Sequence, residues 1–226
     1  MLNTWFRSRG LSRAKLRVKV FPKLIQDWIL TPYLTPEQRK SIAETGDPVR
    51  YGTVFLSLER IKNDGVPGAL AECGVYKGSM SRFLHDVMPD RPLYLFDTFA
   101  GFDARDSDTA GDMRFRDASI DSVMQELPRH ANVHVRKGYF PETAHGLEGE
   151  KFAFVMVDFD KYEPTLAALR FFYPRVAVGG YIYVHDYNNP ESHWACARAL
   201  DEFLADKTEK VISVPDAWGT ALFRKT

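Results

Sequence analysis

The alternation of apolar and polar positions changes character near residue 50. Before it, apolar residues are scattered among helix formers and interrupted by Pro22, Pro32 and Pro36. This predicts a helical N-terminal arm or lid over residues 1–50, whose Trp28, Leu30 and Tyr33 need a surface to pack on. Beyond it, short apolar runs take turns with amphipathic stretches. Val54, Leu58 and Ile61 recur at helical spacing, Gly68-Ala-Leu-Ala-Glu72 reads as a strand, Ser79 to about Val87 as a helix and Pro92 to Asp97 as a second strand. Ile120 to Leu127 predicts a further helix, and Asn132 to Arg136 a third strand.

Two later runs, Phe152-Ala-Phe-Val-Met-Val157 and Tyr181-Ile-Tyr-Val184, are apolar throughout, as in strands buried on both faces. Between them Pro164 suits a first helical turn, Leu166, Leu169 and Tyr173 keep helical spacing, and Pro174 stops the helix before Gly179-Gly180 turn into the next strand. That is a βαβ unit. Trp194, Ala197, Leu200 and Leu204 give one more helix, while Lys210–Val214 and Gly219–Arg224 give two last strands, an antiparallel pair. Seven strands, with helices between the first five, predict a doubly wound, mostly parallel α/β sheet with helices on both faces over residues 51–226.

Charge adds little to this picture. Thirty basic and thirty acidic residues leave no global field to attract nucleic acid. Arg7, Arg9, Arg13, Lys15, Arg17, Lys19 and Lys23 all precede the first acid, Asp27. They are either a solvated basic arm or a contact for an anionic substrate, a membrane surface or a partner. No apolar stretch has the length of a membrane span and the N-terminus lacks a signal-peptide core, so the expected location is cytoplasmic. Cys73 and Cys196 read as reduced small residues rather than a disulfide. The apolar residues of the arm are candidates for a homo-oligomer interface.

The ends of the buried strands carry the chemistry. In an open parallel sheet ligands sit outside the carboxyl ends of the strands, so Asp158, Asp160, His185 and Asp186 converge on one crevice if their strands are neighbours. The first strand ends in Glu72-Cys73-Gly74-Val-Tyr76-Lys-Gly78-Ser79. Its glycines allow a tight turn, and the following helix offers free N–H groups. The spacing departs from the Gly-x-Gly-x-x-Gly fingerprint, which argues against NAD, FAD and dehydrogenase chemistry. Asp97-Thr98 ends the second strand about twenty residues on, where an acid can accept from both ribose hydroxyls. Acids at both strand ends suit a cationic, adenosine-bearing molecule, so the candidate is S-adenosylmethionine. Lys137-Gly138 follows the third strand, near where adenine would lie, and Lys137 reads equally as a surface charge.

With these pieces in place the chain resembles the macrocin O-methyltransferase (TylF, MycF, NovP) family of Rossmann-like class I S-adenosylmethionine-dependent enzymes. The matching segments are Glu72-Cys-Gly-Val-Tyr-Lys-Gly78, Phe96-Asp-Thr-Phe-Ala-Gly101, Lys137-Gly-Tyr-Phe-Pro-Glu-Thr143, Asp158-Phe-Asp-Lys-Tyr-Glu-Pro-Thr165 and Tyr173-Pro followed by Gly179-Gly-Tyr. The resemblance implies methylation of a hydroxyl on a sugar or other polyhydroxylated small molecule, with magnesium. It makes Asp158 a metal ligand that also faces the methyl donor, and Asp160 the general base. The family's Asp-Asp pair at the fifth strand is His185-Asp186 here, which completes a metal set of Asp158, His185 and Asp186. An imidazole ligand shifts the preference from magnesium towards manganese or a later metal. His185 in an orienting role only is the alternative. The usual Leu-Tyr after the base is Lys161-Tyr162, a change at the acceptor pocket.

Two other functions share these residues. One is methylation of a catechol-like diol with the same metal logic, and the other a non-catalytic S-adenosylmethionine-binding protein, against which intact Asp158, Asp160 and Asp186 argue. The polar loop from Phe102 to Asp117, dense in Asp and Arg, is expected to act as a lid.

Overall fold

The computed structural model describes residues 34–106, 112–127 and 131–226. The chain divides into two compact units, Met1–Pro48 and Val49–Thr226. Most of the expected arm, with its basic run, Trp28 and Leu30, lies outside the described residues. Within the first unit, helix α1 (Pro36–Ala43) starts with a capping box. The Gln38 N–H donates to the Thr35 hydroxyl (3.3 Å) while the Gln38 side chain accepts from the Thr35 N–H (2.8 Å), which satisfies two otherwise unpaired donors of the first turn.

Helix α2 (Pro48–Asn63) buries Tyr51, Val54, Phe55, Leu58 and Ile61, one apolar stripe at three- and four-residue spacing. The sheet follows: β1 (Ala69–Cys73), α3 (Ser79–Val87), β2 (Leu93–Asp97), α4 (Ile120–Glu126), β3 (Val133–Lys137), a 3-10 turn (Glu142–Ala144), β4 (Phe152–Val157), α5 (Tyr162–Phe172), β5 (Val176–Val184), α6 (Ala195–Leu204), β6 (Ile212–Val214) and β7 (Thr220–Arg224). Strand order is β3-β2-β1-β4-β5-β7-β6. The first five strands are parallel; β7 runs antiparallel to both β5 and β6. The chain order reverses between β1 and β4, so their carboxyl ends are where a doubly wound sheet opens its crevice. Because β7 is antiparallel, its first residues arrive at that same end, with Ala221 opposite Val184.

All six residues of β4 are buried. Beneath α5, Phe152 and Phe172 meet edge to face at 4.9 Å, and Phe140 stacks on Phe172 at 5.7 Å. Burial of each such ring is worth about 1.5–3 kcal/mol, which fixes β4 at the centre and so fixes where Asp158 emerges.

Two boundaries differ from the sequence expectation. Gly179 and Gly180 lie inside β5, not before it: the β4–β5 register shifts between Phe152 and Phe154, and a Cβ on Gly180 would stand 2.7 Å from the Ala153 carbonyl oxygen. They accommodate a bulge, which sequence spacing alone reads as a turn. Helix α5 begins at Tyr162, so Pro164 lies in its first turn, as expected. Helix α6 begins at Ala195, with Trp194 as its cap in the left-handed region (φ 53°). Among the described residues, no helix is long and apolar enough to cross a membrane.

Candidate active site

Outside the carboxyl ends of β1–β5 is a crevice of about 330 Å³. Gly74, Tyr76, Asp97, Thr98 and Gly138 line its β1–β3 half; Asp158, Asp160, His185 and Asp186 line its β4–β5 half. The wall between them is thin. Gly74 has φ 87°, and a Cβ there would stand 2.0 Å from the Asp158 carbonyl oxygen, so only glycine lets the turn after β1 pass the end of β4.

Asp97 anchors that turn. One carboxylate oxygen accepts from the N–H groups of Val75 (2.7 Å) and Tyr76 (3.0 Å), and the other from Phe99 (2.7 Å). A carboxylate has about four acceptor sites, so capacity remains for a ligand hydroxyl. Thr98 donates to the Gly101 carbonyl (2.5 Å) and shapes the start of the following loop. The remaining sequence candidates for the methyl donor stand further back. Glu72 is buried and accepts a hydrogen bond from Ser81. Burial pushes its carboxyl well above the usual range, against the pull of the Ser81 bond, and the charges of Asp158 and Asp97 raise it further. Cys73 is fully buried; Gly78 and Ser79 cap and begin α3; Lys137 is the exposed last residue of β3. None of these five is among the residues lining the crevice.

The β4–β5 half is tightly wired. His185 Nε2–H donates to the carbonyl of Ala217 (3.0 Å); a carbonyl only accepts, so the proton on this nitrogen is fixed. His185 Nδ1 faces Asp158 Oδ1 at 2.9 Å and Asp186 Oδ2 at 3.4 Å. Burial alone would lower the imidazole pKa, but the charge and hydrogen bond of Asp158, with the bond to Asp186, raise it to about 11. Arg50, from the first turn of α2, places Nη1 3.5 Å from Asp158 Oδ2.

Asp160 and Asp186 are both buried, and both adopt positive φ, 60° and 56°. Aspartate tolerates the left-handed region better than most residues, and strained backbone of this kind gathers at functional sites. The two carboxyls interact directly with one another. Burial first, then the bond to and charge of Asp186 and the charge of Asp158, push Asp160 well above the usual range, against the nearby Arg114. Burial would raise Asp186 too, but His185, Asp160 and Asn189, whose amide donates to it at 2.8 Å, hold it well below. One atom each from Asp158, His185 and Asp186 falls within 4.8 Å of the other two. Two carboxylate oxygens and one imidazole nitrogen at that span are a donor set for a divalent cation, provided Nδ1 is unprotonated.

The loop after β2 reaches this half through described residues. Arg114 sits 2.8 Å from Asp112 and 3.9 Å from Asp160, over the Phe102 ring. Lys161 is buried beside it, 3.9 Å from Asp112 and 4.3 Å from the Phe102 ring centre. Residues 107–111 of the expected lid lie outside the description.

Sequence reasoning missed Arg50, Tyr139, Asp106, Asn189, Glu191 and Trp218, all of which line the crevice. Tyr139 donates to Asp106 (2.6 Å). Tyr139 lies next to Gly138, within a quoted motif, and could have been found; nothing in the spacing marks Trp218.

A doubly wound sheet of this order, open at the β1/β4 reversal onto acids at the ends of β2, β4 and β5, defines a Rossmann-like class I methyltransferase. The family profile described as macrocin-O-methyltransferase (TylF) matches residues 47–225, and the chain belongs to that family. Demethyldecarbamoylnovobiocin O-methyltransferase of Streptomyces niveus is 30% identical over 186 residues, 73% of this chain and 70% of the relative. The 8-demethyl-8-(2,3-dimethoxy-alpha-L-rhamnosyl)-tetracenomycin-C 4'-O-methyltransferase of Streptomyces olivaceus is 28% identical over 156 residues, covering 61% of this chain and 60% of the relative. The solved structure of the O-methyltransferase NovP superposes with a TM-score of 0.67 at 24% identity, over 79% of this chain and 80% of that one. The chain is thus an O-methyltransferase, and its family implies S-adenosylmethionine as the methyl donor.

Proposed function

We propose that the protein methylates a hydroxyl of a sugar or similar polyhydroxylated small molecule, with a divalent cation held by Asp158, His185 and Asp186. The observation that carries this reading is the convergence of those three side chains with Asp160 in one crevice, their ligand atoms within 4.8 Å. The fit of the donor set has a second support. The Ala217 carbonyl keeps the proton on Nε2, which leaves Nδ1 as the nitrogen turned towards both carboxylates, an orientation that outer partners of metal-binding histidines commonly impose. When bound, the cation would polarise the acceptor oxygens and lower the pKa of the reacting hydroxyl.

The chain's own residues do the rest. Asp160 takes the hydroxyl proton as the methyl group passes in line from sulfur to oxygen; a carboxyl raised above its ordinary range accepts that proton more readily than an ordinary one. Asp97 and the turn at Gly74–Tyr76 hold the nucleoside end of the donor, with Thr98 and Gly138 beside them. Glu72, Cys73, Gly78, Ser79 and Lys137 belong to the reading as support for that turn and for the end of β3, and Asp158 stands between donor and acceptor. Holding oxygen, methyl and sulfur collinear removes much of the entropic barrier. The loop after β2 covers the acceptor, and location in the cytoplasm and homo-oligomer formation accompany the reading.

The sugar acceptor is favoured over a catechol by the rhamnosyl group in the name of the Streptomyces olivaceus relative. The test is incubation with labelled S-adenosylmethionine, magnesium or manganese, and matched panels of pyranosides and catechols. Label on a pyranoside hydroxyl supports the reading; label on catechols alone replaces it with the diol reading; binding of the donor with no transfer to either panel makes the protein non-catalytic.

A further inference from the structure

The segment joining β6 to β7 carries an exposed aromatic ring that the chemistry above leaves unused. Trp218 lines the crevice yet remains 48% exposed. Since β7 enters at the carboxyl end of the parallel strands, Trp218, two residues before it, stands on the β4–β5 side with Asp160 and Asp186, away from the Asp97 and Gly138 side. Its backbone has φ 64°, an outlier for a bulky residue.

That conformation is held by a set of backbone bonds. The Ala217 carbonyl accepts from His185, the Trp218 carbonyl from the Asn188 N–H (3.0 Å), and the Gly219 carbonyl from the Tyr187 N–H (2.9 Å). The Asp216 carboxylate accepts from the Thr220 N–H (2.6 Å) and hydroxyl (2.5 Å). Gly219, at φ 74°, lies so close to Asn188 that a Cβ would stand 2.8 Å from its amide nitrogen. The indole is therefore mounted on a braced turn, and one brace ends on the imidazole of the proposed metal set. Single exposed apolar residues are ordinary; one carried by a braced turn into the crevice that holds Asp160 and Asp186 is placed for a ligand.

We infer that Trp218 is the platform on which the acceptor's pyranose ring rests, a specificity-determining residue that presents the ring's edge hydroxyls to Asp160. The inference rests on the sugar-acceptor reading above. A pyranose has a patch of C–H bonds on its face and hydroxyls around its rim. An indole face covers the patch and leaves the rim to polar groups, here Asp160 and Glu191 of the same crevice. A side chain with two rotatable bonds, on a turn already fixed, loses little entropy on contact.

The test uses the whole chain with S-adenosylhomocysteine and magnesium present, and methyl α-L-rhamnopyranoside as probe. Its affinity is read by calorimetry and by tryptophan emission. Wild type should show an emission change on saturation. Trp218→Phe should bind within about threefold of wild type but lose that change, and Trp218→Ala should bind about tenfold or more weakly while its affinity for S-adenosylhomocysteine is unchanged. An emission change that persists in Trp218→Phe overturns the platform, as does wild-type affinity in Trp218→Ala; if the alanine variant fails to fold, the phenylalanine variant decides alone. Wild type that binds neither this probe nor a panel of other pyranosides overturns the sugar-acceptor reading itself, and the platform with it.

Discussion

Asp160→Asn separates the proposed base from everything around it. The replacement is nearly isosteric, and asparagine is among the few residues that tolerate φ near 60°, so the turn between β4 and α5 should keep its shape. It removes one of three clustered carboxyls whose mutual repulsion, with burial, raises Asp160. The melting temperature should therefore hold or rise. The chemical step should lose what a positioned base supplies, about 10²–10⁴-fold in turnover, or roughly 2.7–5.5 kcal/mol of barrier. The assay is turnover against metal concentration, with donor affinity measured in parallel by calorimetry. Donor and metal affinity should stay near wild type, and excess metal should restore nothing. Asp158→Asn is the control: it removes a charged ligand, so high metal should recover part of its lost activity. Near-full activity in Asp160→Asn, or its rescue by metal, would refute the division of roles.

Three further outcomes follow from the geometry. Asp97→Ala leaves the N–H groups of Val75, Tyr76 and Phe99 without their acceptor, so it should lower thermal stability and weaken S-adenosylhomocysteine by about 1–3 kcal/mol; unchanged melting and affinity would contradict the anchoring role. His185→Asp should shift activation from manganese towards magnesium if Nδ1 is a ligand, measured as the ratio of the two activation constants; an unchanged ratio means that the imidazole only orients. Glu209, buried with Tyr173 and Lys225 around it, would be raised by burial, but the Tyr173 hydroxyl, backbone N–H groups and Lys225 hold it at about 2. Its folded pKa is thus below its ordinary 4.5, so its stabilisation is complete above that value and is lost as pH falls towards 2. Glu209→Gln should flatten acid unfolding monitored by circular dichroism in that window, and an unaltered profile would refute the assignment.

The parts of this molecule that sequence reveals are those governed by local chemistry. Continuous apolar runs placed β4 and β5 in the sheet interior, and their abrupt ends placed Asp158, Asp160, His185 and Asp186 together before any coordinates. The glycines after β1 marked a close approach, which is the contact between Gly74 and the end of β4. What stayed hidden depends on tertiary neighbours. Gly179 and Gly180 read as a turn because a bulge is defined by the partner strand. The burial of Glu72 against Ser81 has no local signature. Trp218 reaches the crevice only through the antiparallel insertion of β7, and Arg50 only through the docking of α2 on Tyr183 of β5; neither has a motif.

The central claim is metal-assisted methylation of a sugar hydroxyl, and its most direct test is transfer of a labelled methyl group to a pyranoside after chelation and after metal is restored. The account predicts that label appears on a ring hydroxyl, stops after chelation and returns with magnesium or manganese, while the S-adenosylhomocysteine affinity stays constant throughout. Undiminished transfer in the presence of chelator would contradict it.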